Sequence, residues 1–117
     1  MFAFEVQHLR RGPYRNLLAF FDVVLGDRTA GAFIGVVTVK GVKLMAKKAG
    51  GCWLQFPATR RLENGMPVKD QNGFDRYDPH VDLARGDRAW PTIEAREFAH
   101  QLLADVTERY GSQGAAA

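Results

Sequence analysis

The hydrophobic pattern of this chain changes period once. Up to Phe56 apolar and polar residues alternate in twos, and from Thr92 the apolar residues recur at spacings of three and four. The first pattern marks half-covered strands and the second one face of a helix. Residues 2–9 (FAFEVQHL) read as a first strand, stopped by Arg10-Arg11-Gly12-Pro13. In residues 16–25 (NLLAFFDVVL), Leu17, Ala19, Phe21, Val23 and Leu25 share one side, while Leu18, Phe20 and Asp22 take the other. This strand is expected at the sheet centre, covered on much of both faces. Gly26-Asp27-Arg28 reads as the turn that follows it. Residues 32–45 (AFIGVVTVKGVKLM) are the longest strand signal, with a bulge expected at Gly41. Lys47-Lys48-Ala49-Gly50-Gly51 then forms a basic turn into Trp53-Leu54-Gln55-Phe56, a hairpin partner ended by Pro57.

Residues 57–91 are irregular, with turn pairs at Asn64-Gly65, Asn72-Gly73, Asp78-Pro79 and Gly86-Asp87. Short strands are expected near Gly73–Tyr77 and His80–Leu83. Beyond them Ala95, Phe98, Ala99, Leu102, Leu103, Val106 and Tyr110 form a single apolar helical face. Thr92 is the N-cap, Glu94 and Glu97 suit the positive end, and Gly111 is the stop. The expected fold is α+β: a small antiparallel sheet of four to five strands packed against one C-terminal helix. Residues 1–111 form a single domain, and 112–117 a disordered tail.

Composition limits what such a domain does. With 117 residues there is room for one core, and the 46% hydrophobic content is ordinary for a globular chain. No run of apolar residues is long enough to span a membrane, and the alternating N-terminus reads as part of the mature fold. A single cysteine, Cys52, leaves no internal disulfide and suits a reducing cytoplasm. The net charge of +3 hides an imbalance: residues 1–69 carry eleven Lys/Arg against four Asp/Glu, and residues 70–117 five against nine. The sheet half therefore offers a basic face to an anionic partner, although solubility alone also favours scattered surface charge.

Arg60 and Arg61 lie between the Pro57 stop and the Asn64-Gly65 turn, on what reads as a solvent-exposed loop. Their planar guanidiniums grip phosphate or read guanine edges. Lys47 and Lys48 in the hairpin turn, Lys40 and Lys43 on the third strand, and Arg10 and Arg11 after the first extend the basic set. Trp53 and Phe56 interleave with these charges, but their spacing assigns them to packing under the helix; Trp90 anchors the helix start. The run Asp75-Arg76-Tyr77-Asp78-Pro79-His80-Val81-Asp82 holds oxygen and nitrogen donors without a recognised metal-ligand spacing. Ser112 and Cys52 are the only serine and cysteine, and there is no GxGxxG, P-loop or zinc-ligand cluster. The expectation is a binding protein with no cofactor, metal or small-molecule substrate, not an enzyme.

One ordered set of short motifs goes further. Leu9-Arg10-Arg11, Leu18-Ala19-Phe20-Phe21-Asp22-Val23-Val24-Leu25 and Val39-Lys40-Gly41-Val42-Lys43-Leu44 come first. Gly50-Gly51-Cys52-Trp53-Leu54-Gln55-Phe56-Pro57-Ala58-Thr59-Arg60-Arg61 and Asp78-Pro79-His80-Val81 follow. In this order they resemble the SpoVG family, the stage V sporulation protein G or septation proteins of bacteria and their phage-borne relatives, over residues 6–110. The resemblance implies a small α+β fold, dimerisation through sheet strands, and regulatory binding of DNA, with RNA as a second target. It maps the family's contact region onto Arg60 and Arg61, with Thr59 before them. The loop after Arg61 is longer than the family's turn, and the family's His-Pro order is inverted here as Pro79-His80. Two other readings remain open at this point: an interaction module recruiting partners by β-strand addition, and a metal-dependent hydrolase at residues 75–82.

Overall fold

Three long strands rich in β-branched and aromatic residues lie side by side and set the frame of the molecule. In the computed structural model, which describes residues 1–86 and 90–116, β1 (Phe2–Arg11), β2 (Leu17–Thr29), β3 (Ala32–Ala46) and β4 (Cys52–Gln55) pair antiparallel in chain order. Two small ribbons follow, β5 (Ala58–Arg60) with β8 (Tyr77–Pro79), and β6 (Leu62–Glu63) with β7 (Met66–Pro67). Helix α1 (Ile93–Ala116) packs on one face of the four-stranded sheet. The fold is α+β.

The helix is docked by the face that its period marks. Leu102 and Val106 are fully buried against Ala19, Phe21 and Val23 of β2 and Val42 and Leu44 of β3. The Phe98 ring meets Phe2 and Phe4 of β1 edge-on, with centroids 5.5 and 5.4 Å away. The N-cap is as expected, with the Ala95 N–H donating to Thr92 Oγ1 at 3.1 Å. The stop is not: α1 runs past Gly111, whose backbone does not take the left-handed conformation of a C-terminal glycine cap.

Several turns differ from the sequence reading for local reasons. β2 does not end at Gly26-Asp27-Arg28 but continues to Thr29, and the hairpin reverses at Ala30-Gly31, with φ of 54° and 80°. Two successive positive φ values match the right-handed twist of the flanking strands. Gly26 is needed inside the strand instead, since a Cβ there would fall 2.0 Å from the Ile34 carbonyl oxygen. Asn64-Gly65 does turn as expected, with φ of 51° and 77° between β6 and β7. Asp78-Pro79 is not a turn but the end of β8, paired with Thr59 and Ala58; a two-stranded ribbon tolerates proline at a strand end. The strand expected at Gly73–Tyr77 begins only at Tyr77, none forms at His80–Leu83, and the Asp87 half of the Gly86-Asp87 turn lies outside the described residues.

Strand pairing moves two further residues. Leu18, expected opposite the core, packs against it, because pairing with β3 slips between Leu17 and Ala19. Trp53, expected under the helix, is 40% exposed. It pairs with Met45, whereas its neighbour Leu54 pairs with the buried Leu44, so Trp53 takes the opposite face. Phe56 does pack against the core.

Candidate nucleic-acid interface

The sheet face turned away from α1 is uncovered by any helix, and cross-strand pairing decides which side chains meet on it. Arg10, Phe20, Lys43 and Gln55 are successive partners across β1, β2, β3 and β4 and therefore form one row. Within it the Arg10 guanidinium lies over the Phe20 ring, 4.4 Å from its centroid, a cation–π contact that holds the charge flat on the sheet. Trp53 and Met45 form the next row towards the Lys47-Lys48 turn, where both lysines are exposed.

On the other side of that row both neighbours of β2 bulge at the same level. β1 bulges at His8, with φ of 56°, and β3 at Gly41, with φ of 76°. Asp22 of β2 joins the two: Oδ1 accepts the Gly41 N–H at 3.1 Å, and Oδ2 is 3.0 Å from His8 Nδ1. The His8 hydrogen bond, opposed by partial burial and aided by the Gly41 N–H and the nearby Lys40 charge, holds the Asp22 carboxyl below its ordinary range. The expected bulge at Gly41 is therefore present and tied down, and it brings Lys40 beside Lys43.

Beyond β4 the β5–β8 ribbon rises next to the open face. Between them lies a hollow of about 330 Å³ lined by Lys40, Gly41, Lys43, Gln55, Tyr77 and His80, with Phe56, Pro57 and Ala58 behind. Arg60 pairs with Tyr77 and Ala58 with Pro79, so Arg60 leaves the same ribbon face as Tyr77. Thr59 Oγ1 hydrogen-bonds His80 Nε2.

Thr59 and Arg60 thus stand on a strand and not on the expected loop, and neither arginine is idle. Arg60 Nε is 3.3 Å from Asp75 Oδ2, and Arg61 grips Asp78 through Nε and Nη2. The Asp78 contact raises the Arg61 pKa, and the Arg61 hydrogen bond lowers that of Asp78. Asp75 is held low mainly by the Lys69 ammonium. Both guanidiniums remain about half exposed, at 52% and 45%, so each has a side open to an incoming anion. Arg11 belongs elsewhere: it stacks over the Tyr110 ring at 4.6 Å and donates to its hydroxyl at 3.2 Å, on the helix side.

The structure therefore sets Arg10 and Lys43 on one open face and Thr59, Arg60 and Arg61 on or beside the adjoining ribbon. It leaves Lys48 exposed in its turn, places Lys47 beside Leu54 and the helix residues Ala99, His100 and Leu103, and removes Arg11 to the helix side. It keeps Lys40 beside Lys43 and adds Phe20, Gln55, Tyr77 and His80. Lys40 was visible as a basic strand residue and Phe20 by its alternation, but Tyr77 and His80 arrive by ribbon pairing, which no local pattern announces. In the Asp75–Asp82 run, Asp75, Asp78 and Asp82 each face a basic side chain, and no group of three or more potential metal ligands forms among the described residues. No described helix is long and apolar enough to cross a membrane. No model of a known protein family, no curated protein and no solved structure matches the chain.

Proposed function

We propose that this protein is a cytoplasmic, homodimeric nucleic-acid-binding regulator, as its resemblance to the SpoVG family implies. The observation that carries the reading is the convergence of Arg10, Lys40 and Lys43 with Phe20 on one helix-free sheet face. Its carboxylate Asp22 is engaged by His8 and Gly41. Cations at this density release condensed counterions when they meet phosphate, which gives affinity that falls steeply with salt. The helix offers the opposite surface, with Glu94, Glu97, Asp105 and Glu108 against Arg96 and Arg109. Arg60 and Arg61 contribute at the ribbon by exchanging a carboxylate for a phosphate oxygen, so their net gain is smaller than that of an unpaired arginine.

Dimerisation rests on the edge of β3. β4 covers only Lys43–Ala46, leaving a long distal stretch unpaired on that side, where Ile34 and Val36 are 61% and 74% exposed. An apolar edge without proline is a template for a further strand, and a second copy would extend the sheet and set two basic faces in one plane. Light scattering tests this: a dimer for the wild type and a folded monomer for Val36→Lys.

Binding is tested by a titration comparing Lys40→Gln/Lys43→Gln with Arg60→Ala/Arg61→Ala. Both double variants are expected to fold, bind more weakly and show a shallower salt dependence, the lysine pair losing more. Wild-type affinity in the combined quadruple variant would overturn the assignment.

A further inference from the structure

Given the nucleic-acid reading, we propose that the ligand is single-stranded, with one unstacked base lodged in the hollow between β3 and the β5–β8 ribbon. The argument begins with shape. In a duplex the bases are stacked inside and the protein meets two ridges of phosphate; a base enters a side pocket only after it is flipped out, at the expense of unpairing. A flat cationic face would suit a duplex, but here the ribbon rises beside the face and encloses about 330 Å³. Nothing on a duplex surface fills such a recess, whereas a single strand supplies a free base at every step.

The lining matches that occupant. Tyr77, 46% exposed, gives an aromatic wall on which any base stacks. Gln55 has a carboxamide with both donor and acceptor atoms, and His80 has a ring nitrogen, Nδ1, left over from its bond to Thr59; together they suit the polar edge of a base. Lys40 and Lys43 stand at the rim over β3, where the flanking phosphates would pass. From Lys43 the row continues to Phe20 and Arg10, whose stacked guanidinium and ring form a second platform for the neighbouring base. Cation, aromatic and cation then follow one another along the path, the pattern by which proteins track single strands.

The test uses the full chain and fluorescence anisotropy with labelled oligothymidine, oligouridine and a mixed-sequence duplex, each of about twelve nucleotides, within the span of one single-strand-binding module. The single strands are expected to bind at least about tenfold more tightly than the duplex. Tight binding of either strand supports the proposal. Tyr77→Ala should weaken single-strand binding roughly 5- to 150-fold, the range of one lost base stack, while leaving the salt slope unchanged. Tyr77→Phe should retain the affinity, which separates stacking from a role in holding the ribbon together. Lys43→Gln should instead reduce the slope by about 0.7, one phosphate contact on a single strand. Salt-dependent binding of the duplex as tight as that of the single strands overturns the single-strand proposal and leaves the nucleic-acid reading standing. Wild-type single-strand affinity in Tyr77→Ala removes the base from the hollow. Binding of none of the three probes overturns both.

Discussion

Replacing Asp22 with alanine asks how the two bulges that shape the open face are held in place. The Asp22 side chain is only 14% exposed and has two partners, the Gly41 N–H at 3.1 Å and His8 Nδ1 at 3.0 Å. His8 and Gly41 are themselves exposed, so their freed polar groups would be taken up by water. The loss is therefore the net value of two solvent-accessible hydrogen bonds, not the larger penalty of stranding buried donors: about 1–3 kcal/mol in all. For a chain of this size that corresponds to a fall in Tm of roughly 4–15 °C. Calorimetry at neutral pH, with urea unfolding to confirm an unchanged slope, measures it directly. The pH dependence has a definite sign. The Asp22 pKa is depressed in the folded protein, so its stabilisation is present above the unfolded value of about 3.9 and is lost as pH falls through the lower folded value. The gap between wild type and Asp22→Ala should narrow by about half on acidification through that window, since a protonated Asp22 still offers an oxygen to the Gly41 N–H. Asp22→Asn, which keeps an oxygen for Gly41, should lose about half as much. A variant as stable as wild type at neutral pH, or a gap that does not narrow at acid pH, would refute the clamp.

Other substitutions probe the remaining contacts. Leu102→Ala empties a fully buried position between helix and sheet and should cost about 2–5 kcal/mol in chemical denaturation. Ala30→Asn replaces an alanine held at a φ of 54° with a residue that tolerates the left-handed region, and should raise Tm by a few degrees, about 1 kcal/mol. Arg10→Ala and Arg11→Ala should separate two neighbours: the first weakens nucleic-acid binding with little change in stability, and the second loosens the Tyr110 contact and lowers Tm without changing the salt slope of binding.

The long elements were legible because many residues repeat one message. The alternation in β2 and β3, the bulge at Gly41 and the helical face from Ala95 to Tyr110 all follow from period and from one glycine's freedom. The misreadings came from places where tertiary pairing overrides a local sign. Gly26 looks like a turn residue but is needed where β2 and β3 approach closely, and Asp78-Pro79 looks like a turn but closes a ribbon with Ala58 and Thr59. At the interface, strand position put Lys40 and Lys43 on an outward face and the loop setting left Arg60 and Arg61 accessible, as they are, but the ion pairs of the two arginines were not legible. Their carboxylate partners are Asp75 and Asp78, fifteen or more positions away in the chain, and no short-range pattern reveals such pairing. Trp53 was misplaced for a simpler reason: in a strand as short as β4, one residue of register decides the face.

The central claim, that the open basic face binds nucleic acid, is tested most directly by the salt dependence of affinity for a labelled oligonucleotide. With Arg10, Lys40, Lys43 and the ribbon arginines engaged, log Kd plotted against log salt should rise linearly with a slope of about 3 or more, near 0.7 per phosphate contacted on a single strand. Lys40→Gln/Lys43→Gln should lower that slope by about 1.4. Affinity independent of salt, or no binding at low salt to DNA or RNA of either strandedness, would contradict the account.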